Sequence, residues 1–193
     1  MLNPPRLPKH LPAPDGIETF YEVRSRDSHL NPEEFAQLPR HPIYLILDNL
    51  RSAFNVGAIF RLADVTRARE VLLCGYTAHP PHKKLEQTAL GTTNSVPWRW
   101  FQTTVDAVLE LKKLGVQIVA LETVDDAPSF HCFSYRFPVG VVLGNEALGV
   151  SQQVLNQCDG IVNIPVFGYK NSLNVATAAA VVLYELLRQG NWI

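Results

Sequence analysis

The sequence has too few cysteines, too far apart, to be held together by cross-links. Its three, Cys74, Cys132 and Cys158, are odd in number and form no C-x-x-C pair, which excludes a disulfide framework and a zinc module and makes a reducing, cytoplasmic compartment the simplest expectation. Long hydrophobic runs are missing too. The nearest, Val175 to Leu187, is broken by Thr177 and Glu185, so the expectation is a soluble protein with no membrane partner. The first residues, MLNPPRLPKH, lack an apolar stretch and carry helix-breaking prolines, so they read as neither a signal nor a transit peptide. Neither charge sign dominates, with 17 Lys and Arg against 18 Asp and Glu, and 47% hydrophobic residues exclude disorder as a description of the whole.

Several catalytic signatures are absent. No G-x-G-x-x-G follows an apolar run, so the usual dinucleotide fingerprint is missing. Gly144 to Ser151 has the glycine spacing of a P-loop, but Val150 stands where that motif needs a phosphate-neutralising lysine. A nucleoside triphosphatase is excluded, and a glycine-punctuated turn carrying Glu146 remains. No serine sits in a G-x-S-x-G elbow. His79 and His82 flank Pro80-Pro81 without a third ligand nearby, so no metal is expected. His131 and Cys132 are sequence neighbours, whose side chains usually point apart, and read as ordinary core or surface residues.

What is present is alternation. Five compact runs, 43–48, 70–74, 116–121, 139–143 and 160–164, are rich in Val, Ile and Leu, as strands buried on both faces are. Between them the patterns predict helices at 55–66, 82–90, 103–114 and 151–157, and a long one from about Ser172 to Arg188. That long segment has almost no charge before Glu185, which predicts burial on nearly every side. The fold class is therefore α/β, a mostly parallel sheet with helices on both faces, and such sheets bind ligands beyond the carboxyl ends of their strands. This domain spans 41–193. Residues 1–40 read as a proline-rich arm with a short helix, where Asn31 can cap and Pro32 suits the first helical position. Residues 41–100 hold seven Lys and Arg against four Asp and Glu. That basic middle third permits a nucleic-acid partner without demanding one.

Three segments at strand ends are more specific. The first runs from Asp48 through Asn55 and Gly57 to Arg61, with Asn55 as a candidate helix cap; the second from Val141 through Gly144 and Glu146 to Gly149; the third from Ile164 through Ser172 and Leu173 to Asn174 and Val175. In this order and spacing they resemble the SpoU, or TrmH, family of RNA ribose 2′-O-methyltransferases, a branch of the SPOUT class, over roughly residues 41–190.

The resemblance implies a C-terminal deep trefoil knot, an exception to the rule against knotted chains. It implies S-adenosylmethionine as cofactor, held by Leu121, Glu122, Gly144, Ile164, Ser172 and Leu173. The implied catalytic residues are Asn55, Arg61, Glu146, Ser172 and Asn174, with tRNA or rRNA as substrate and a homodimer formed through the knot region. A guanidinium keeps its charge in proteins and is a poor base, so the reading favoured for Arg61 is to hold a phosphate and stabilise the developing alkoxide. Glu146 could fix backbone donors or the arginine. A non-catalytic RNA-binding relative of the same fold is the alternative.

Overall fold

The apolar runs assemble as a six-stranded, wholly parallel sheet in a computed structural model that describes residues 32–124 and 126–193. The strands are β1 (His41–Asp48), β2 (Ala68–Cys74), β3 (Trp98–Phe101), β4 (Gln117–Leu121), β5 (Val139–Leu143) and β6 (Gly160–Val162), in the order β3-β2-β1-β5-β4-β6. Helices α2 (Ala53–Val65), α3 (Lys83–Ala89), α4 (Thr104–Lys113), α5 (Gln152–Leu155) and α6 (Val175–Gln189) connect or follow them. A short helix α1 (Pro32–Gln37) precedes this compact unit, which begins at Pro39. The expected cap Asn31 and the proline-rich segment before it lie outside the described residues.

Two cores explain why the strands read as continuous apolar runs. Successive side chains of a strand point to opposite faces, so Ile43, Leu45 and Leu47 of β1 enter the core shared with Val56, Phe60 and Leu183, while Ile46 joins Val108, Leu111 and Ile118 on the other face. Helix α6 packs against α2 on the first face. Chain order runs outward from β1 to β2 and β3 on one side, and β5, β4 and β6 fill the other, so the direction of winding switches between β1 and β5.

Several boundaries differ from expectation. Strand β3, of sequence WRWF, was not anticipated, because an edge strand with an arginine and two tryptophans lacks the aliphatic run of a buried strand. Helix α2 begins at Ala53 with Ser52 as its cap, the Ser52 hydroxyl accepting from the Asn55 N–H at 3.3 Å. Asn55 is therefore inside the first turn and does not cap the helix. Helix α6 begins at Val175, capped by Asn174, which leaves Ser172 and Leu173 in the preceding loop. Nor is α6 buried on nearly every side, since Thr177, Tyr184 and Arg188 face outward. The buried Glu185 is accommodated by Arg188 and Gln189, whose side chains both donate to its carboxylate.

Candidate functional site

The loops after β1 and β5 meet at the point where the winding switches. Glu146 provides the junction. Its Oε2 accepts from the Arg51 N–H at 2.8 Å, and its Oε1 from the Ser52 N–H at 3.1 Å and the Asn55 Nδ2 at 2.8 Å. Burial acts to raise this carboxyl, but the donors from Arg51, Asn55 and Ser52 outweigh it and hold it below its ordinary value. The carboxylate also sits at the N-terminus of α2, where negative charge is favoured. A charged carboxylate whose oxygens are occupied by donors is a fastener for two loops and a poor proton acceptor. Within the chain Glu146 thus fixes backbone donors, and no hydrogen bond or ion pair joins it to Arg61 among the described residues.

Asn55 extends the junction to the C-terminal segment. Its Oδ1 accepts from Asn174 Nδ2 at 3.1 Å, while Asn174 Oδ1 accepts from the N–H groups of Ala176 and Thr177 at the start of α6. Glu146, Asn55 and Asn174 thus form one relay that ties three loops together, although they are up to 119 residues apart in sequence.

Beside the relay, at the carboxyl ends of β4 and β5, lies a cavity of about 560 Å³. Leu121, Glu122, Gly144, Ile164, Ser172 and Leu173 all line it, as do Glu146 and Asn174. The turn after β5 shapes one wall. Asn145 and Gly149 exchange backbone hydrogen bonds, and Asn145 Oδ1 accepts from the N–H groups of Ala147 and Leu148. This closure brings the turn so near that a Cβ on Gly144 would fall 2.4 Å from Gly149 C and Val150 N, so only glycine fits. Glu122 braces the turn by accepting from the Val150 N–H at 2.7 Å.

Arg61 stands apart. It lies six residues beyond Asn55, a rise of about 9 Å along the helix, and its side chain is exposed with no hydrogen bond or ion pair to the described residues. It does not line the cavity. Ser172 lines it without a side-chain hydrogen bond to any described residue. The structure thus brings together Asn55, Glu146 and Asn174, sets Ser172 at the cavity wall, and leaves Arg61 on the open face of α2.

Two polar residues that the sequence reading passed over organise the same edge. Asp48, buried at the end of β1, accepts from the Thr104 hydroxyl and from the Ser151 N–H, pinning α4 and α5 to that strand end. Asn145 donates to the Asn49 carbonyl and the Tyr76 hydroxyl. The available signal was position alone, since each closes a strand or opens its loop. The two candidate metal histidines have separate local tasks: His82 caps α3 by accepting from the Leu85 N–H, and His79 stacks near Trp98. Among the described residues no three His, Cys, Asp or Glu side chains are grouped to hold a metal.

The chain is similar to known proteins over most of its length. The chain is 32% identical over 168 residues to the tRNA (guanosine(18)-2′-O)-methyltransferase of Escherichia coli, covering 83% of this chain and 72% of that protein. It is 30% identical over 149 residues to the putative TrmH family tRNA/rRNA methyltransferase of Staphylococcus saprophyticus, covering 77% of this chain but only 59% of the relative's length. Among solved structures, the SpoU methyltransferase AviRb from Streptomyces viridochromogenes in complex with AdoMet superposes with a TM-score of 0.71 at 26% identity, over 82% of this chain and 64% of that one. Residues 42–184, which contain the whole Glu146, Asn55 and Asn174 relay, match the SpoU rRNA Methylase family, and the chain belongs to that family.

Proposed function

We propose that this chain transfers the methyl group of S-adenosylmethionine to a ribose 2′-hydroxyl of tRNA or rRNA. The observation that carries the proposal is the cavity at the ends of β4 and β5, bounded by the relay that joins the three functional segments. Its size lies within the range of small-molecule sites, roughly 300–1,000 Å³. Its lining suits the cofactor: Leu121, Leu143, Ile164 and Leu173 offer apolar surface to an adenine ring, and the polar loops around Gly144 and Ser172 offer groups to a ribose and an amino acid. When bound, S-adenosylmethionine supplies an activated methyl and its own leaving group.

The protein's part is to position the hydroxyl and to stabilise the negative charge that grows on its oxygen. Glu146 holds the loop after β1 against the loop after β5, and Asn174 holds the start of α6 to both. Arg61 acts as the electrostatic group toward the neighbouring phosphate and the developing alkoxide, with Ser172 or Asn174 orienting it. A second chain or bound RNA would supply contact with these groups, since among the described residues Arg61 has no such partner. A homodimer suits this need. The outward faces of α2 and α6 carry Phe54, Val65 and Tyr184, which are 50%, 66% and 52% exposed, with Arg61 on the same surface of α2. The proposed trefoil knot belongs to the return of the chain from β6 through residues 163–174 to α6.

Transfer of labelled methyl from S-adenosylmethionine to unmodified total RNA, followed by nuclease digestion and nucleoside mass spectrometry, tests the reading. A 2′-O-methylnucleoside is expected with the native chain and not with Arg61→Ala. Arg61→Lys is expected to fall far below native activity, because an ammonium cannot reproduce the planar fork. A base-methylated product would overturn the ribose assignment. Salt-sensitive RNA binding with no transfer to any RNA would select a non-catalytic relative.

A further inference from the structure

The loop after β2 and the edge strand β3 put aromatic rings on the surface next to the cavity. Tyr76 is 62% exposed and Trp100 49% exposed. Both are anchored at one tight turn, Trp100 Nε1 donating to the Gly75 carbonyl at 3.0 Å and the Tyr76 N–H to Asn49 Oδ1 at 3.3 Å. Gly75 and Asn49 hold that turn with φ of 61° and 55°, and a Cβ on Gly75 would fall 2.0 Å from Asn49 Oδ1. His79 lies 6.5 Å from Trp100 and stacks 6.4 Å from Trp98, extending the aromatic surface. The Tyr76 hydroxyl accepts from Asn145 Nδ2 at 2.5 Å, and Asn145 lines the cavity beside Glu146.

Core packing does not account for rings that are fixed through their polar atoms while so much of their surface meets water. Ordering them costs side-chain entropy that a bound partner would offset. The nearby cations indicate which partner. Arg51, on the loop clamped by Glu146, and Lys83 and Lys84, which open α3 directly after the aromatic loop, are exposed, and none of their side chains has a hydrogen bond or ion pair among the described residues. Flat π-faces flanked by unpaired cations and continuous with a site for a ribose match single-stranded RNA, whose unstacked bases lie on aromatic rings while its phosphates meet cations.

We propose that Tyr76, Trp100 and His79 form a stacking platform for an unpaired RNA base close to the target ribose, with Arg51, Lys83 and Lys84 meeting the adjacent phosphates. The substrate class is then RNA in a loop or single-stranded segment, since bases within a duplex have no free face. This inference rests on the methyl-transfer reading for its geometry, but it can be tested separately.

The test titrates the full chain with a single-stranded oligouridylate and with an RNA duplex of equal length, following tryptophan fluorescence and anisotropy. The platform requires quenching by the single strand, a duplex at least about tenfold weaker, and a loss of roughly tenfold in single-strand affinity for Trp100→Ala and severalfold for His79→Ala. Trp100→Phe should recover affinity to within about threefold, and S-adenosylmethionine affinity should be unchanged throughout. Equal affinity for duplex and single strand would overturn the platform, as would native-like binding by both alanine variants. So would a Trp100→Ala chain that sediments at half the native mass, which would make this surface a contact between copies. If no RNA is methylated while the stacking signature persists, the transferase reading fails and the platform stands. If methylation proceeds equally well in both alanine variants, the platform alone fails.

Discussion

Glu146 shows at the scale of one residue how charge is used for architecture. Its carboxylate accepts from two backbone N–H groups and one side-chain amide, a set that favours its ionised form. Because the folded-state carboxyl sits below its ordinary value of 4.5, its contribution to stability is complete above that value and is lost as the pH falls through the depressed one. Glu146→Gln turns an amide donor toward N–H donors. A loss of about 1 kcal/mol is expected at pH 7, at the lower end for a charged acceptor because the side chain is solvent-exposed. Urea unfolding at pH 7 and at successively lower pH below 4.5 should show the two chains converging as the carboxyl takes up its proton. Arg61 predicts the opposite pattern. With no hydrogen bond or ion pair to Arg61 among the described residues, Arg61→Ala should leave stability within about 0.5 kcal/mol of native while methyl transfer is lost, a separation that thermal unfolding and the methylation assay measure side by side.

Helix α2 carries the site at the scale of elements, and its placement depends on a small residue. Gly57 lies in the first half of α2, where an alanine would ordinarily stabilise the helix by about 1 kcal/mol. Here the sign reverses, because a Cβ would fall 2.5 Å from the Leu85 carbonyl oxygen and 2.9 Å from the Ala89 nitrogen, both backbone atoms of the adjoining α3. Gly57→Ala should therefore destabilise by roughly 1–3 kcal/mol, read by chemical denaturation, and should weaken transfer because the first turn of α2 supplies Asn55. The elements were largely legible beforehand for a related reason. Aliphatic runs mark β1, β2, β4, β5 and β6, whereas β3, at a sheet edge like β6, carries Trp98, Arg99 and Trp100 in place of such a run. Helix starts were less legible. Ser52 and Asn55 are both competent caps, and only the demand of Glu146 and Asn174 for the Asn55 amide decided between them.

Assembly belongs to the scale of the whole molecule. The exposed apolar side chains of α2 and α6 lie on neighbouring helices, and a dimer over this surface would cover them and give Arg61 a second chain to face. Tyr184→Glu is expected to convert a dimer into monomers in sedimentation, with the monomer's fold retained and transfer strongly reduced. A surviving dimer would place the interface elsewhere.

The sequence by itself determined the alternation of strands and helices, the parallel sheet and the three segments at strand ends, because burial of apolar side chains and the limits on turn residues act locally. The six residues that the resemblance assigns to the cofactor, Leu121, Glu122, Gly144, Ile164, Ser172 and Leu173, all lie in the lining of the cavity. Only the tertiary structure decided what those residues do to one another. That Glu146 fastens loops, that Asn174 reaches Asn55 across 119 residues, and that Arg61 has no partner among the described residues are facts of distance. Hydrogen bonds and charges act over a few ångströms, and which groups come within that range is set by the path of the whole chain through space.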